Sequence, residues 1–318
     1  MTNTSNFFNK KILIVGDLML DEYIIGKKYR ISDEAPVPIL KVDEFKVKLG
    51  GASNVANNLK HLGCEPILCG IIGKSFSGKS ASRFIEMMNK ENISTSYIVE
   101  GEVLTTTKSR VIINRQQVVR FDYEDDIISN EDKKRIKEKL FDLNFDDIDL
   151  IIVSDYNKGV INKEIMSFLK SKNKIIIVDP KPIHKELYKN VFCLTPNLKE
   201  FNMLVNKEIE KHDESFLYIE SLKLIKYLRL KHMVVTMGDS GSFVCNNNGY
   251  SIIPGIKKEV VNTIGAGDTF VSAFSISIAC GNDIYESVKL ANFAASIAIS
   301  KEHTGICSIN ELNDFYIK

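Results

Sequence analysis

The sequence predicts an α/β protein whose main sheet is mostly parallel and covered by helices on both faces, with a small second β-sheet beside it. The first reason is that short apolar runs alternate with amphipathic helical segments along most of the 318 residues, which is typical of parallel strand–helix units. The second reason is that two regions, about 22–48 and 104–122, carry consecutive strand patterns without an intervening helix. We expect a single domain over residues 1–318.

The strands of the main sheet are predicted from continuous apolar runs, because strands buried on both faces of a parallel sheet lack a polar side. The helices are predicted from apolar residues at three- and four-residue spacing, and Gly63 can end the first helix in a left-handed cap. In chain order, the predicted elements are strand 11–15, helix 53–61, strand 66–72, helix 79–89, strand 150–154, helix 163–170, strand 174–179, strand 192–195, helix 198–204, helix 216–228, strand 233–237, and helices 266–280 and 284–300.

The second sheet is predicted to form a lid over a binding site. Its strands include Val37–Val42 and Ser109–Asn114, in which apolar and polar residues partly alternate. Ligands of parallel α/β proteins bind at the carboxyl ends of the strands, so a small sheet that leaves the main sheet there can cover the site.

The composition argues against nucleic-acid and membrane partners. Lys and Arg number 42 against 41 acidic residues, which gives a formal net charge of +1 and no electrostatic basis for binding a polyanion. Residues 1–9 lack the apolar segment of a signal peptide, and the apolar run 270–280 is too short to span a bilayer. The six cysteines show no paired spacing and are typical of reduced structural thiols. We expect a soluble, cytoplasmic protein.

The motif Gly265-Ala266-Gly267-Asp268 stands directly before a predicted helix. Small residues let the backbone approach a ligand closely, and the helix start offers unpaired N–H groups and the positive end of the helix dipole. Such a turn suits the charge that develops on a transferred phosphoryl group. An acidic residue in a first turn also stabilises a helix without any function, so these four residues alone leave helix capping and catalysis equally open.

Further motifs occur along the chain in a definite order: Val15–Asp21, Arg30–Pro38, Gly50–Ala56, Ser154–Gly159, Asp179–Lys181, Thr195–Glu200, Thr236–Gly241 and Ala291–Ala295. Together with the glycine-rich turn, they resemble the ribokinase-like (PfkB) carbohydrate kinases over nearly the whole chain. The block Arg30–Pro38 is especially similar to the heptose 7-phosphate kinases of that family. The resemblance implies a three-layer ribokinase-like fold, ATP as the phosphoryl donor and Mg²⁺ as cofactor.

The same resemblance assigns roles around the acceptor sugar. Asp268 is the base that deprotonates the acceptor hydroxyl, and the amides of Gly265, Ala266 and Gly267 form an anion hole. Turn capping remains an alternative for the aspartates, a conformational role for the glycines and a solvated strand face for the cations. The residues expected at the sugar are Asp17, Asp21, Gly50, Gly51, Asn54 and Asp155. The candidate cations for the substrate phosphate, proposed as a set and not singly, are Arg30, Arg110, Arg120 and Lys158.

On the nucleotide side, the resemblance places Asn197 and Glu200 near the phosphate-bound Mg²⁺, with Glu200 acting through water. Lys181 can reach a phosphate as a point charge, although a solvated surface lysine is the alternative. An ordinary helix start explains Asn197 and Glu200 equally well, and a simple β-turn explains Gly238 and Gly241. The remaining nucleotide positions are Thr236, Gly238, Gly241 and Asn292.

The sequence departs from the family pattern just before the glycine-rich turn. Asn262 stands where the family has an aspartate beside a monovalent-cation site, and Ile264 replaces a threonine near the phosphates. Asparagine keeps the shape of aspartate and its hydrogen-bonding capacity but not its charge. We therefore expect catalysis to be retained, whereas activation by K⁺ is doubtful.

The leading hypothesis is transfer of the ATP γ-phosphate to O1 of D-glycero-D-manno-heptose 7-phosphate, giving the 1,7-bisphosphate for ADP-heptose and lipopolysaccharide core synthesis. The alternatives are a kinase of another sugar or sugar phosphate, and a non-catalytic sugar-binding protein on this fold. A nicotinamide dehydrogenase is disfavoured because the turn at Gly16-Asp17 lacks the G-x-G-x-x-G fingerprint. We expect a separate nucleotidyltransferase and phosphatase in the same pathway, and a homodimer through the lid strands.

Overall fold

The computed structural model describes residues 4–74, 80–114, 116–125 and 128–317. Its strands are β1 Lys11–Gly16, β2 Leu18–Ile31, β3 Pro38–Gly51, β4 Glu65–Lys74, β5 Ile98–Leu104, β6 Thr106–Ile113, β7 Gln116–Tyr123, β8 Leu150–Ser154, β9 Ile175–Asp179, β10 Cys193–Leu194, β11 His232–Thr236, β12 Ser242–Asn246 and β13 Gly249–Ile253. Its α-helices are α1 Ala52–His61, α2 Ser80–Lys90, α3 Asn130–Phe141, α4 Lys163–Ser171, α5 Leu198–Val205, α6 Glu214–Leu228, α7 Ala266–Ala279, α8 Ile284–Ile299 and α9 Ile309–Ile317.

Within those residues the main sheet has nine strands in the order β13-β12-β11-β10-β9-β8-β1-β4-β5. The strands from β11 through β5 pair in parallel, and the β12–β13 hairpin adds two antiparallel strands at one edge. The fold class is confirmed, because a mostly parallel sheet is accompanied by helices and by a second small sheet.

Helices cover both faces of the main sheet, and strand β1 shows how. Its buried residues alternate between two apolar clusters: Ile12 and Ile14 pack with α1, α7 and α8, whereas Leu13 and Val15 pack with α3, α4 and α6. Successive side chains of a strand point to opposite faces, so a fully apolar run is what a strand covered on both sides requires. Continuous apolar runs therefore predicted the buried strands of the main sheet correctly.

The predicted elements are found with small shifts in their bounds. The predicted strand 192–195 narrows to β10, although Phe192 and Thr195 still donate their N–H groups to β9 at Ile176 O and Val178 O. The predicted helix 79–89 begins at Ser80 in the structure, and position 79 lies outside the described residues. Gly63 adopts the expected left-handed conformation with a φ of 88°. The sequence analysis did not predict β5, α3, α9 or the β12–β13 hairpin.

The four remaining strands form the small second sheet, for which we keep the predicted name of lid, in the order β3-β2-β6-β7. Strands β2 and β3 pair antiparallel, β2 and β6 parallel, and β6 and β7 antiparallel. The first two extend further than the predicted region 22–48, and β2 starts one residue after Asp17 at the end of β1. The lid is therefore continuous with the carboxyl edge of the main sheet. Position 115, inside the predicted region 104–122, lies outside the described residues.

The sequence predicted structural thiols and no segment long enough to span a membrane. All six cysteines are free, and Cys64, Cys69, Cys193, Cys245 and Cys307 are buried while Cys280 is partly exposed. Burial raises the pKa of several of these thiols, to about 12 in the case of Cys69. In the part of the chain that the structure describes, the helices are too short or too polar to cross a membrane.

Candidate active site

The carboxyl ends of the central strands bring three acidic residues side by side. Asp17 follows β1, Asp155 follows β8, and Asp179 ends β9. These strands are neighbours in the sheet, with Gly16 opposite Ser154 and Ser154 opposite Asp179. Backbone bonds continue the ladder beyond the strands, because Asp17 N donates to Ser154 O and Asp155 N donates to Asp179 O. The candidate site is built on this edge of the sheet.

Asp268 faces this edge from the first turn of α7. Its Oδ2 accepts a hydrogen bond from Asn54 Nδ2 at 2.7 Å, and its Oδ1 accepts one from the Tyr156 hydroxyl at 2.8 Å. Asn54 lies on α1, and Tyr156 lies in the loop after β8. The carboxylate thus joins three segments that are far apart in the sequence.

Asp268 is 6% exposed, and this burial changes its acidity. Burial raises the pKa of Asp268 from 3.8 to about 6, and the charge of Asp21 adds to the rise. The hydrogen bonds from Asn54 and Tyr156 and the charge of Lys108 oppose it. A base of this pKa is ionised at neutral pH and is more basic than an exposed aspartate, as general-base catalysis requires.

The glycine-rich turn positions Asp268 at the start of α7. Gly265 has a φ of 80°, in the left-handed region. A Cβ atom there would lie 2.7 Å from Thr304 Cγ2 and 2.9 Å from Asn54 Nδ2, so only glycine fits without a shift. A Cβ on Gly267 would meet no described atom within 4 Å, which leaves that side of the turn open. Ala266 N donates to Thr263 O at 3.3 Å, so this amide of the predicted anion hole has an internal acceptor.

The unusual Asn262 has a definite local role. Its Oδ1 accepts a hydrogen bond from Ile264 N at 2.9 Å. The side chain therefore braces the backbone that enters the glycine-rich turn, and this bond needs an oxygen but no negative charge.

Asp17, predicted at the sugar, is enclosed by the loop after β8. Its carboxylate accepts backbone N–H bonds from Tyr156 at 2.8 Å, Lys158 at 3.1 Å and Val160 at 3.2 Å. Asp17 is 1% exposed. Burial and the neighbouring charge of Asp155 raise its pKa to about 6, although the three N–H donors favour the ionised form. The structure assigns this carboxylate to holding the loop 155–160.

Asp155, also predicted at the sugar, belongs to a second buried network. Its Oδ2 accepts the Tyr188 hydroxyl at 2.7 Å and lies 2.7 Å from His184 Nδ1. Its Oδ1 accepts the N–H of Asn157 at 2.8 Å. The bond to Asp155 raises the pKa of His184, against the opposing effect of burial. Both oxygens of Asp155 thus have partners within the protein.

One face of the lid is turned toward Asp268. Residues directly opposite each other on neighbouring strands share a face, and Asp21 lies opposite both Lys48 and Lys108. Arg110 Nη1 donates to Asp21 Oδ1 at 2.6 Å, and both side chains are buried. Lys108 Nζ lies 5.4 Å from the centre of the Tyr156 ring, and burial lowers its pKa. The inner face of the lid consists of Asp21, Tyr23, Lys46, Lys48, Lys108, Arg110, Arg120 and Asp122.

The other predicted phosphate ligands are less central. Arg120 stands opposite Arg110 on the inner face, but its side chain is 48% exposed and bonds Asp122. Arg30 is exposed at the far end of β2 and pairs with Asp33 at 2.7 Å. Lys158 pairs with Glu124 at 2.6 Å. Of these cations, Arg110 reaches the buried Asp21, which interacts with Asp268, whereas Arg30 pairs with Asp33 away from these contacts.

The predicted Gly50, Gly51 and Asn54 lie where the lid meets the main sheet. A Cβ on Gly50 would lie 2.9 Å from Asp21 Oδ2. Gly51 has a φ of 54°, and a Cβ there would lie 2.6 Å from Asp17 O. Both glycines are thus required by close packing around the two aspartates, and a conformational role is sufficient to explain them. Asn54 contacts Asp268 directly.

Among the residues predicted at the nucleotide, Asn197 and Glu200 form a capping box at the start of α5. Asn197 Oδ1 accepts the N–H of Glu200 at 2.9 Å, and Glu200 Oε2 accepts the N–H of Asn197 at 3.1 Å. The other Glu200 oxygen lies 3.6 Å from Lys181 Nζ. The Lys181 ammonium in turn lies 5.7 Å from the centre of the Tyr156 ring.

These residues fit a metal ion that arrives with its nucleotide. Burial, together with the charges of Glu200 and Asp268, raises the pKa of Asp179 well above its usual value, which identifies a crowded acidic region that a cation would relieve. In the described parts of the chain, no three His, Cys, Asp or Glu side chains cluster closely enough to hold a metal ion. Phosphate oxygens and water would therefore complete the shell of a Mg²⁺ ion held near Glu200.

The remaining nucleotide positions lie around the β11–β12 turn. Thr236 ends β11 and pairs with Asn197. Gly238 and Gly241 have φ values of 62° and 89° and shape the turn. Asn292 on α8 accepts the Ser242 hydroxyl at 2.7 Å and is largely buried. These bonds explain the local turn, and binding of a nucleotide there remains a prediction.

Sequence reasoning did not single out three residues at the centre of the site. Tyr156 was present in the motif Ser154–Gly159, but its hydroxyl contact is with a residue 112 positions away. Lys108 stands two residues before Arg110, a spacing that puts both on one strand face. Tyr23 bonds Thr304 Oγ1 at 2.8 Å and so ties the lid to the loop beside Gly265. The strand period was the signal that could have found Lys108 and Tyr23.

Comparison with known proteins identifies the family. The model of the pfkB family carbohydrate kinases matches residues 9–311 of this chain. The chain belongs to this family. As a pfkB carbohydrate kinase, it is an ATP-dependent sugar kinase, and the predicted resemblance and enzyme class are both confirmed.

Two curated relatives of this pfkB kinase carry the name bifunctional protein HldE. It is 35% identical over 308 residues to the bifunctional protein HldE of Helicobacter hepaticus, covering 95% of this chain and 63% of that protein. It is 34% identical over 314 residues to HldE of Haemophilus influenzae, covering 98% of this chain and 64% of that protein. The chain thus spans just under two thirds of the length of these relatives.

Solved structures support the fold. Phosphofructokinase-2 from Escherichia coli, in complex with substrates and products, superposes with a TM-score of 0.80 at 19% identity and covers 97% of this chain and 98% of its own. Ribokinase from Thermotoga maritima gives a TM-score of 0.73 at 19% identity and covers 97% of this chain and 99% of its own. At these identities the likeness concerns the fold alone.

Proposed function

We propose that this pfkB kinase transfers the γ-phosphoryl group of ATP to O1 of D-glycero-D-manno-heptose 7-phosphate and forms the 1,7-bisphosphate. The observation that carries the proposal is a buried carboxylate, Asp268, directly beside a lid face that carries Lys108 and Arg110. A base next to cations fits a sugar that already bears a phosphate. The relatives named HldE and the similarity of Arg30–Pro38 to heptose kinases favour heptose as that sugar.

The proposed reaction needs one base and one anion site. Asp268 accepts the proton of the acceptor hydroxyl while the hydroxyl oxygen forms a bond to the γ-phosphorus. The bond from that phosphorus to the bridging oxygen breaks, and ADP leaves with the electron pair. The N-terminus of α7 stabilises the negative charge on the transferred group. The open side of the turn at Gly267 lets that group approach.

We assign the substrate phosphate to the inner face of the lid. Arg110 offers a planar guanidinium, and Lys108 and Lys48 offer point charges on adjacent strands. Arg120 extends the same face toward solvent, while Arg30 and Lys158 complete the predicted set from further away. Asp21 and Asn54 are the groups nearest the base that can bond sugar hydroxyls, and Asp17 holds the loop 155–160 through its backbone N–H groups.

For the nucleotide, we assign Lys181 to a phosphate and Glu200, through water, to Mg²⁺. The 3.6 Å separation of these two side chains fits a site that holds one cation and one anion together. Thr236, Gly238, Gly241 and Asn292 are assigned to the ribose and adenine side. Because ATP is the phosphoryl donor, a cytoplasmic location is part of this proposal.

A sugar panel tests the substrate. Purified protein is incubated with ATP and Mg²⁺ in a coupled ADP assay against heptose 7-phosphate, free heptose, ribose and fructose 6-phosphate. We expect the highest kcat/KM on heptose 7-phosphate, with free heptose much weaker because the lid cations then lack a partner. Preference for ribose or fructose 6-phosphate would replace the substrate but keep the enzyme class. Binding of sugar and ATP without ADP formation would instead support a non-catalytic sugar-binding protein.

Asn262 is the basis of a prediction about K⁺. This residue bonds Ile264 N without a negative charge, so we propose that activity does not depend on K⁺. The assay in Na⁺, K⁺ and tetramethylammonium salts at equal ionic strength measures this directly. A tenfold or greater activation by K⁺, on the order of 1.4 kcal/mol, would contradict the proposal.

We also propose a homodimer through the outer face of the lid. This face carries Phe45, Val119 and Phe121, which are 46%, 48% and 38% exposed. Such a group of exposed apolar side chains on a small sheet is typical of a protein interface. Light scattering at micromolar concentration is expected to give twice the mass of 35.9 kDa, and Phe121→Lys is expected to give the monomer. The product would then pass to a phosphatase and a nucleotidyltransferase activity.

A further inference from the structure

Tyr156 is the residue of the site whose contact the proposed roles do not explain. Its hydroxyl donates to Asp268 Oδ1 at 2.8 Å, while Asn54 Nδ2 donates to the other oxygen at 2.7 Å. The carboxylate is therefore held from two sides, once by α1 and once by the loop after β8. Each oxygen keeps one lone pair for a further donor.

The loop that carries Tyr156 is fixed by two buried carboxylates. Asp17 accepts the N–H of Tyr156 itself at 2.8 Å, and it also accepts two N–H groups further along the loop. Asp155 accepts the N–H of Asn157 at 2.8 Å, and Asn157 has a φ of 60°, in the left-handed region. The backbone on both sides of Tyr156 is thus bonded to side chains that solvent does not reach, which gives its ring a defined starting direction.

The ring of Tyr156 is also flanked by two cations. Lys108 Nζ of the lid lies 5.4 Å from the ring centre, and Lys181 Nζ of the nucleotide side lies 5.7 Å from it. Both distances allow attraction between the ammonium groups and the ring. Tyr156 therefore stands between the two halves of the site, and its ring cannot turn without losing these contacts and the bond to Asp268.

A tyrosine at this position could simply fill space, and Tyr188 shows what that role looks like. Tyr188 is fully buried, and its hydroxyl bonds Asp155 and the backbone of Lys181. Tyr156 differs because it is partly exposed to the site and directs its hydroxyl at the base. The two residues thus place the same donor on carboxylates with different tasks.

We propose that Tyr156 is a positioning residue for the catalytic base: its hydroxyl fixes the Asp268 carboxylate and leaves the remaining lone pairs for the acceptor hydroxyl. The catalytic part of this statement rests on the proposed function. The hydrogen bond stabilises the ionised carboxylate, so its removal should make Asp268 harder to ionise. Its removal also frees the carboxylate to rotate away from the acceptor.

The charged and polar groups that face Asp268 come from several elements. Asp21 on β2 raises its pKa, whereas Lys108 on β6, Asn54 on α1 and Tyr156 lower it. Asp179 at the end of β9 also interacts with Asp268 as a like charge. Burial raises the pKa of Tyr156 well above its usual value, so this hydroxyl remains a donor throughout the pH range of an assay.

The first test is the pH dependence of kcat for wild type and Tyr156→Phe on one sugar phosphate. The ionisation of the substrate phosphate is common to both proteins and cancels in the comparison. Loss of a charge-assisted hydrogen bond is expected to raise the acidic midpoint by about one pH unit. The ratio of wild-type to variant kcat should therefore rise by about fivefold between pH 8 and pH 6.

Tyr188→Phe is the matched control, because it removes the same hydroxyl from a carboxylate that is not the base. We expect it to lower the melting temperature and to leave the acidic midpoint of kcat in place. A parallel shift in both variants would assign the effect of Tyr156 to general loosening of the fold and would overturn the proposal.

The second test does not require activity. Carboxyl carbons of ¹³C-labelled aspartate are titrated by NMR in wild type, Asp268→Asn and Tyr156→Phe, and the signal missing from the first variant is assigned to Asp268. We expect its midpoint near 6 in wild type and a higher value in Tyr156→Phe. A change below about 0.3 pH units would overturn the proposal. If the sugar panel shows no turnover, the proposed function fails while this titration still decides the role of Tyr156.

Discussion

Two regions of the site contain buried carboxylates whose pKa is raised to the same value, about 6. Around Asp17, the donors are three backbone N–H groups of one loop. Around Asp268, the donors are two side chains from different segments. The first carboxylate is occupied by the fold, whereas the second retains lone pairs on a partly open site.

A raised pKa therefore does not by itself identify a catalytic base. Burial is the main cause in both residues, and burial accompanies structural as well as functional aspartates. The kind of donor separates them, because backbone N–H groups fixed in a loop cannot make way for a substrate.

The largest effect is expected from Asp268→Asn on activity. The variant keeps the shape of the side chain but cannot accept the proton, so kcat should fall by about 10² to 10⁴-fold. Steady-state ADP formation with heptose 7-phosphate measures this, with circular dichroism as the control for folding. Retention of more than about a tenth of wild-type kcat would remove Asp268 as the base.

The same variant is expected to become more stable at high pH. A folded-state pKa raised from 3.8 to about 6 means that folding favours the protonated form, so this stability is present below pH 3.8 and is lost as pH rises through 6. Asp268→Asn removes the loss, which amounts to at most about 3 kcal/mol for a rise of about two units. Urea unfolding at pH 4 and pH 8 should show a gain only at pH 8, and an equal effect at both values would contradict this account.

Asp17→Asn is expected to gain less stability at neutral pH than Asp268→Asn. Asparagine would turn its NH₂ group toward at least one of the three loop N–H donors, which leaves a buried donor without an acceptor. The unmet donor costs about 1–3 kcal/mol, which offsets the gain expected from removing a buried carboxylate whose pKa is equally raised. In Asp268→Asn, by contrast, the amide oxygen can accept from Asn54 while the Tyr156 hydroxyl accepts from the NH₂ group. Chemical denaturation of both variants at pH 7 compares them directly, and an equal change in the free energy of unfolding would erase the distinction.

The smallest effect concerns the pH profile of the wild type. If Asp268 is the base, kcat should fall by about tenfold between pH 7 and pH 5 as the carboxylate takes up its proton. Asp17→Asn should retain the acidic midpoint of this profile even if its rate is lower. Loss of the acidic limb in that variant would show that Asp17, and not Asp268, controls the reaction.

Much of the fold could be predicted because apolar runs and helical periods are local properties. Strand β1 and helix α1 with the Gly63 cap were within one or two residues of their observed bounds. The β12–β13 hairpin was not predicted, because its partly exposed second strand carries a weaker apolar signal than the buried parallel strands. The lid was predicted as a sheet, but its strand order depends on pairing between segments about 90 residues apart.

The site was predictable as a set of positions more than as a set of contacts. The glycine-rich turn and the helix after it put Asp268 at an anion-binding end, which residue types alone indicate. The partners of Asp17 lie 139 to 143 residues away. The sequence therefore showed only a carboxylate at a strand end, which we interpreted as a sugar ligand. Arg30 and Arg110 looked equivalent in sequence, and only the register of the lid shows that Arg110 reaches Asp21.

The buried thiols give each face of the main sheet its own reporter. Cys64 and Cys307 belong to the cluster with α1, α7 and α8, whereas Cys69 and Cys245 belong to the cluster on the opposite face. Thiolates are the form that alkylating reagents attack, and burial raises the pKa of these four thiols. Alkylation must therefore wait for each layer to open, and the order in which these cysteines are labelled would show which half of the molecule unfolds first.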